Sequence, residues 1–309
     1  MVCTYDVLRF PQCQLRLACQ LLSWKKLRSK QVAALTSGGI GVRYSDVMST
    51  DPLNASDPVK FLKPPVRRVE LTIYFDASDA VQASHVAPLS QIWKEMYPIV
   101  TEHAPTPPGD ESSDNISVLN ANSYWPIPFT RYSSEVDRRS VAFQRDRFEV
   151  RWNFDEESGA PYPGFESLLA TLRQEFDVFS GVLHDSDLTL SIKKAECRYV
   201  NRIQGITAAQ LAVGVLTDWQ GSAGSQVDDS DYVGIRMHSH KEVSANRSFS
   251  SLVAVDKDDS DPTLSIFVTH MGDSEELGGI VHAHAELIQT FLRYTSAEQH
   301  IKWGKNNEH

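Results

Sequence analysis

Cysteine is scarce in this chain, and long apolar runs are missing. Of four cysteines in 309 residues, three (Cys3, Cys13, Cys19) fall within the first 47 and the fourth, Cys197, lies far downstream. Their spacings fit no zinc pattern and no Cys-x-x-Cys pair occurs, so neither a disulfide framework nor a structural zinc module is expected. The apolar patch Leu15–Leu22 is interrupted by Arg16 and Gln20. It is too polar for a signal-peptide core and too short to cross a bilayer. Catalytic signatures are missing too. There is no His-Glu-x-x-His, no Gly-x-Ser-x-Gly elbow and no Walker loop. The acidic run Asp256–Asp261 has the composition of a calcium loop, but it lacks the central glycine and final glutamate of an EF-hand and is expected to be a hairpin turn.

What is present reads as globular: 41% hydrophobic and 23% charged residues in a length that supports a sizeable core. Charge is unevenly spread. Residues 1–47 carry seven basic side chains against Asp6 and Asp46, a net of +5 in a chain of −10, which leaves −15 on 48–309. That segment is expected to be an overcalled start or a disordered extension, with Met48 opening the protein proper. Cys197 is then a lone thiol, predicted inward on a strand, which points to a reducing cytoplasm.

The middle of the chain is the most legible. Phe148, Val150, Trp152 and Phe154 alternate with Glu149, Arg151 and Asn153, the period-two pattern of a half-buried antiparallel strand. Phe165, Leu168, Leu169, Leu172, Phe176 and Phe179 form one apolar stripe, predicting a helix over 165–183. Alternation resumes over 192–203. Strands are also expected at 66–75, 141–144, near 232–256 and at 263–271. Further helices are expected around Leu89–Met96, over 207–219 and from about 280 to 303. Residues 104–122 and Gly221–Asp231 read as loops. The fold class is α+β: antiparallel sheet covered by helices, in two similar β-α-β-β halves, 48–205 and 206–309.

Several separated motifs between 64 and 304 resemble a sporadically distributed family of bacterial proteins of unknown function. They are Pro64-Pro65-Val66; Gln144-Arg145-Asp146-Arg147-Phe148 with Trp152; Cys197-Arg198-Tyr199-Val200-Asn201-Arg202; and His284 with Phe291, Thr295, His300, Trp303 and Gly304. The resemblance marks Phe148, Trp152, Tyr199, Asn201, His284, Phe291, His300 and Trp303 as structural positions. It implies no activity; its scattered distribution suits an accessory role in defence or a toxin–antitoxin-like gene pair. Arg202 stands where the family pattern often has histidine.

Two constellations could carry function. Arg145, Arg147 and Arg151, joined by Arg198 and Arg202, place guanidinium forks on a sheet face, where they suit a carboxylate or phosphate. Glu135, Asp137, Asp146 and Glu149 are interleaved with them, so a ladder of cross-strand ion pairs is the plainer expectation. The charge of −15 disfavours bulk nucleic acid. The second constellation is His238 and His240, which share a strand face and could share a metal. The resulting expectation is a cytoplasmic binding or interaction protein rather than an enzyme. It would need no cofactor and no membrane, and it would recognise a protein partner or a small anion. A metal-dependent enzyme using the late histidines, and a homo-oligomeric scaffold pairing through a sheet edge, are the alternatives.

Overall fold

The computed structural model describes residues 61–76, 81–105, 127–157, 159, 161–220, 234–257, 261–272 and 277–305. The chain divides into two units, 1–58 and 59–309, and every described residue belongs to the second. The expected extension 1–47, most of the 104–122 loop and the loop Gly221–Asp231 lie outside the described residues.

The fold is α+β. Nine strands form one antiparallel sheet: β1 Val66–Phe75, β2 Ile99–His103, β3 Phe129–Ser133, β4 Arg139–Gln144, β5 Arg147–Asn153, β6 Ile192–Arg202, β7 Ile235–Ser244, β8 Arg247–Lys257 and β9 Pro262–Gly272. Their order across the sheet is β2-β3-β4-β5-β1-β6-β9-β8-β7. Six helices are described: α1 Ala83–Val86, α2 Leu89–Trp93, α3 Phe165–His184, α4 Ala208–Leu216, α5 Gly278–Tyr294 and α6 Ala297–Lys302. β1 and β6 lie side by side at the centre. Each opens a run of helix, meander and long helix: β3-β4-β5 then α3 after β1, and β7-β8-β9 then α5 after β6. β2 is an extra strand at the outer edge of the first run.

The pleat sorts side chains by parity. On β1, Val69, Leu71, Ile73 and Phe75 point to the helix-covered face, opposite Trp152, Val150 and Phe148 of β5 and Tyr199, Cys197 and Ala195 of β6. α3 lays Phe165, Leu168, Leu169, Leu172 and Phe179 on this face, all buried. Beneath α3, Phe148 and Phe179 approach to 5.2 Å between ring centroids, and Phe143 and Phe179 to 5.3 Å. Trp93 joins this cluster, edge-on to Tyr132 at 5.2 Å, and its indole N–H donates to the buried Glu175 carboxylate at 2.7 Å. α5 covers β6 and β9 with Ile280, Ala283, Leu287 and Phe291.

Some expectations need correction. β2 and β3 are additions. They are five-residue strands that pair with each other across the 104–122 region, and β3 also pairs with β4 through the short turn 134–138. The expected terminal helix is two helices. Thr295 is extended, and the Ser296 hydroxyl accepts from the Gln299 N–H while the Gln299 side chain accepts from the Ser296 N–H, so a capping box starts α6 afresh. The helix around Leu89 stops at Trp93, leaving Met96 exposed. Asp256 and Asp261 flank the β8–β9 hairpin, whose strands pair from Lys257–Pro262 onward. No described helix is long and apolar enough to cross a membrane.

Candidate functional site: an arginine–glutamate ladder on the open sheet face

The opposite parity of the same strands builds a polar face on which no described helix packs. Register places Glu70 of β1 opposite Arg151 of β5 and Arg198 of β6, with Thr72 beside it opposite Glu149 and Glu196. The consequence is a charge cluster centred on Glu70. Its Oε1 lies 2.8 Å from Arg151 Nε and 3.9 Å from Arg68 Nη1, and its Oε2 accepts from Arg198 at 3.0 Å. Glu149 continues the row, 2.9 Å from Arg131 and 3.3 Å from Arg151. Arg131 also donates to the Ser140 hydroxyl at 3.0 Å. Four guanidinium groups therefore gather around Glu70 and Glu149, and a third carboxylate, Glu196, stands in the next row of the same face, near enough to feel the charges of Arg198 and Glu70.

Burial strengthens these interactions. Glu70 and Glu149 are 5% and 8% exposed, and charges removed from water interact at a lower effective dielectric. Not all of the polar atoms are matched. Glu70 Oε1, Glu149 Oε1, Arg151 Nε and Arg198 Nε are buried and make no aligned hydrogen bond, although ion-pair distances are short. Arg68 is the most exposed of the four arginines. Burial holds its guanidinium below the ordinary arginine value; Glu70 opposes this, and the neighbouring Arg151, Arg198 and Arg131 add to it. Burial also pushes the Glu196 carboxyl up, against a hydrogen bond from the Thr269 hydroxyl and the charge of Lys194. Aromatic rings floor the arginines: Arg198 sits 4.2 Å above the ring of Phe267, and Arg131 lies 5.1 Å from that of Phe129.

The five arginines singled out by sequence do not form one patch. Arg151 and Arg198 converge on Glu70. Arg147 is buried and folds onto its neighbour Asp146 at 3.0 and 3.1 Å, over the ring of Tyr74. Arg145 occupies the two-residue turn between β4 and β5. Arg202 lies at the end of β6, held by Glu156 at 2.5 Å and Asp261 at 3.1 Å. Glu70 and Arg68 escape a reading centred on residues 131–151. They are brought to the site only by β1 pairing with β5 and β6, sequence separations that leave no local pattern.

Comparison with protein-family models, with curated proteins and with solved structures finds no match.

The late histidines occupy four places. His238 and His240 lie on one face of β7, exposed at the sheet edge. Among the described residues, no group of three His, Cys, Asp or Glu side chains is placed to hold a metal. His270 on β9 is buried against Phe249 and His282, with ring centroids at 5.2 and 5.3 Å, and His282 Nδ1 is 3.1 Å from Arg247. His284 on α5 packs on Phe165 and Tyr199, whose hydroxyl meets that of Tyr162 at 2.7 Å. The remaining motif positions are buried or, for His300 and Trp303, half-buried. Phe148 and Trp152 face α3. Asn201 donates to the Leu264 carbonyl at 3.2 Å. Phe291 packs on Trp303, and His300 Nε2 lies 2.7 Å from the Thr295 hydroxyl. A cavity of about 300 Å³ lies between β7–β8 and α5, lined by Lys241, Glu286 and Arg293 among others. Its cations are already neutralised, Lys241 by Glu286 at 2.8 Å and Arg293 by Asp218 at 2.9 Å.

Proposed function

We propose that this protein acts by binding rather than by catalysis, and that its site is the Arg68–Arg131–Arg151–Arg198 cluster on the open sheet face. The ligand is an anionic group of carboxylate type, presented by an acidic segment of a partner protein. One observation carries the reading: four arginines gather on one open sheet face around Glu70 and Glu149, on a protein whose residues 48–309 are otherwise strongly acidic. A ligand carboxylate would add an acceptor beside Arg68, the most exposed of the four guanidinium groups. The overall negative charge works against long polyanions, so a short acidic stretch fits better than nucleic acid.

The test is titration calorimetry of the full chain with a glutamate-rich peptide, with inorganic phosphate in parallel. Saturable binding of the peptide that weakens about tenfold in Arg68→Gln, a change that leaves Glu70 paired with Arg151 and Arg198, supports the site. No heat from either anion at millimolar concentration removes it.

A further inference from the structure

We infer that β7 is a homodimer seam, pairing antiparallel with β7 of a second copy about a two-fold axis at Ser239. β7 is one border of the nine-stranded sheet, ten residues long, free of proline and exposed along nearly its whole length. Sheets leave such a border only when something guards or covers it, because its outward N–H and C=O groups form a ready template for another strand. Proline and a central bulge are missing here, and the charges that β7 carries are ordered to match a second copy. Lys241 does not stand out as a barrier; its ammonium turns to α5 and is held by Glu286 at 2.8 Å. The bulge in β7 falls between Glu242 and Ser244, at the end of the strand, so the register against β8 runs unbroken from Ile235 to Glu242.

The order of charges along this strand is self-complementary. In an antiparallel pair centred on Ser239, Arg236 of one copy stands directly opposite Glu242 of the other, and the two-fold repeats the match. Met237 then meets the stem of Lys241, and His238 meets His240. Directly opposed residues approach to about 5 Å between Cβ atoms, close enough for each Arg–Glu pair to form. Shifting the centre to His238 or His240 puts Arg236 opposite His240 or Ser244 instead, and both matches are lost. Arg236 and Glu242 are exposed, and neither has an ion-pair partner among the described residues. An isologous pairing of this kind closes on itself and leaves no growing edge at β7. All helices stay on one side of the resulting sheet, and the open arginine faces of the two copies continue into one another. The dimer does not depend on anion binding at those arginines.

The test is sedimentation velocity of the full chain at tens of micromolar, with three proteins: wild type, Arg236→Glu and Glu242→Arg. Each substitution sets like charges opposite each other twice across the seam, so each variant alone should dissociate at least tenfold more readily than wild type. Mixing the two variants restores opposite charges at both positions, so the mixture should form a heterodimer with wild-type stability. Heterodimer formation also demonstrates that both variants are folded. A monomeric wild type overturns the seam. So does a dimer that survives both substitutions, since its contact lies elsewhere. Variants that dissociate and stay apart on mixing, with unchanged thermal melting, overturn the Ser239-centred register.

Discussion

The imidazole of His284 lies flat on the phenyl ring of Phe165, 3.6 Å between centroids and 3° from parallel. The contact pins α5 to the first turn of α3, and burial there lowers the His284 pKa to about 3. His270 is lowered to about 4, first by burial and then by His282 and Arg247. Both rings are therefore neutral in the folded protein near pH 7, whereas in the unfolded chain a histidine takes its proton near pH 6.5.

Stability should therefore fall as the medium is acidified. The folded pKa values are depressed, so the unfolded chain binds more protons below pH 6.5. The neutral rings contribute fully above that value, and their contribution is lost as pH drops toward 4 and then 3. The loss is on the order of 2 kcal/mol per ring by pH 5. Urea unfolding at pH 7.5 and pH 5 measures it. His284→Phe keeps the stack and should remove about half of the difference; an unchanged difference would refute the assignment.

His270 also carries a buried Nε2 with no hydrogen-bond partner. Replacing the ring by one of similar shape and no polar atom removes that penalty. His270→Phe is expected to be neutral to about 1 kcal/mol more stable at pH 7. A loss above 1 kcal/mol in chemical denaturation would show that Nε2 is satisfied in solution.

Glu70 is a different case, because its removal strands two partly buried arginines. Glu70→Ala should cost about 1–3 kcal/mol, below the figure for a fully buried pair since Arg151 and Arg198 keep some contact with water. Glu298→Ala, which breaks the exposed pair with Lys302 on α6, should change stability by less than about 0.5 kcal/mol. Equal effects from the two would mean that the ladder has no more structural weight than a surface ion pair.

Much of this architecture was legible because its signals are local. The alternation over β5, the stripe of α3 from Phe165 to Phe179 and the alternation over β6 each declare an element and a buried face within a dozen or so residues, and the elements formed as expected. The capping box at Ser296 was equally local but was hidden inside a run of apolar periodicity. The site was less legible for the opposite reason. Arg151 and Arg198 stand out as charged residues on alternating strands, but their convergence on Glu70 depends on the order β5-β1-β6, and a strand order leaves no trace in residue spacing. The five-residue strand β2 has neither the length nor an adjacent partner to announce itself.

Gly272 tests the register of the β8–β9 pair, where it stands opposite Arg247. Its φ is +133°, and a Cβ added there would sit 2.1 Å from the Asn246 carbonyl oxygen. Gly272→Ala combines a backbone conformation that L-residues avoid with a clash against main chain, and should cost more than about 1 kcal/mol. A variant as stable as wild type in thermal unfolding would mean that the Asn246 turn is placed differently.

Cys197 is fully buried on β6 facing the helices, and burial pushes its thiol well above the ordinary value, with Glu196 adding to the effect. The nucleophile is the thiolate, so Cys197 should resist iodoacetamide in the folded protein and react on denaturation. Peptide mapping by mass spectrometry distinguishes it from the cysteines near the start of the chain. Rapid native labelling of Cys197 would contradict its burial.

The placement of β1 has a consequence for synthesis on the ribosome. β1 is made first, yet one of its two neighbours, β6, is complete only at Arg202. After β5 emerges, five strands can assemble with the far edge of β1 still bare. At about 5–20 residues per second, the wait from Asn153 to Ile192 lasts roughly two to eight seconds. During that interval Arg68 and Glu70 are the side chains that make this edge costly for a stray strand to join. Glu70 meets Arg151 as soon as β5 pairs with β1, and its second carboxylate oxygen stays open until Arg198 arrives.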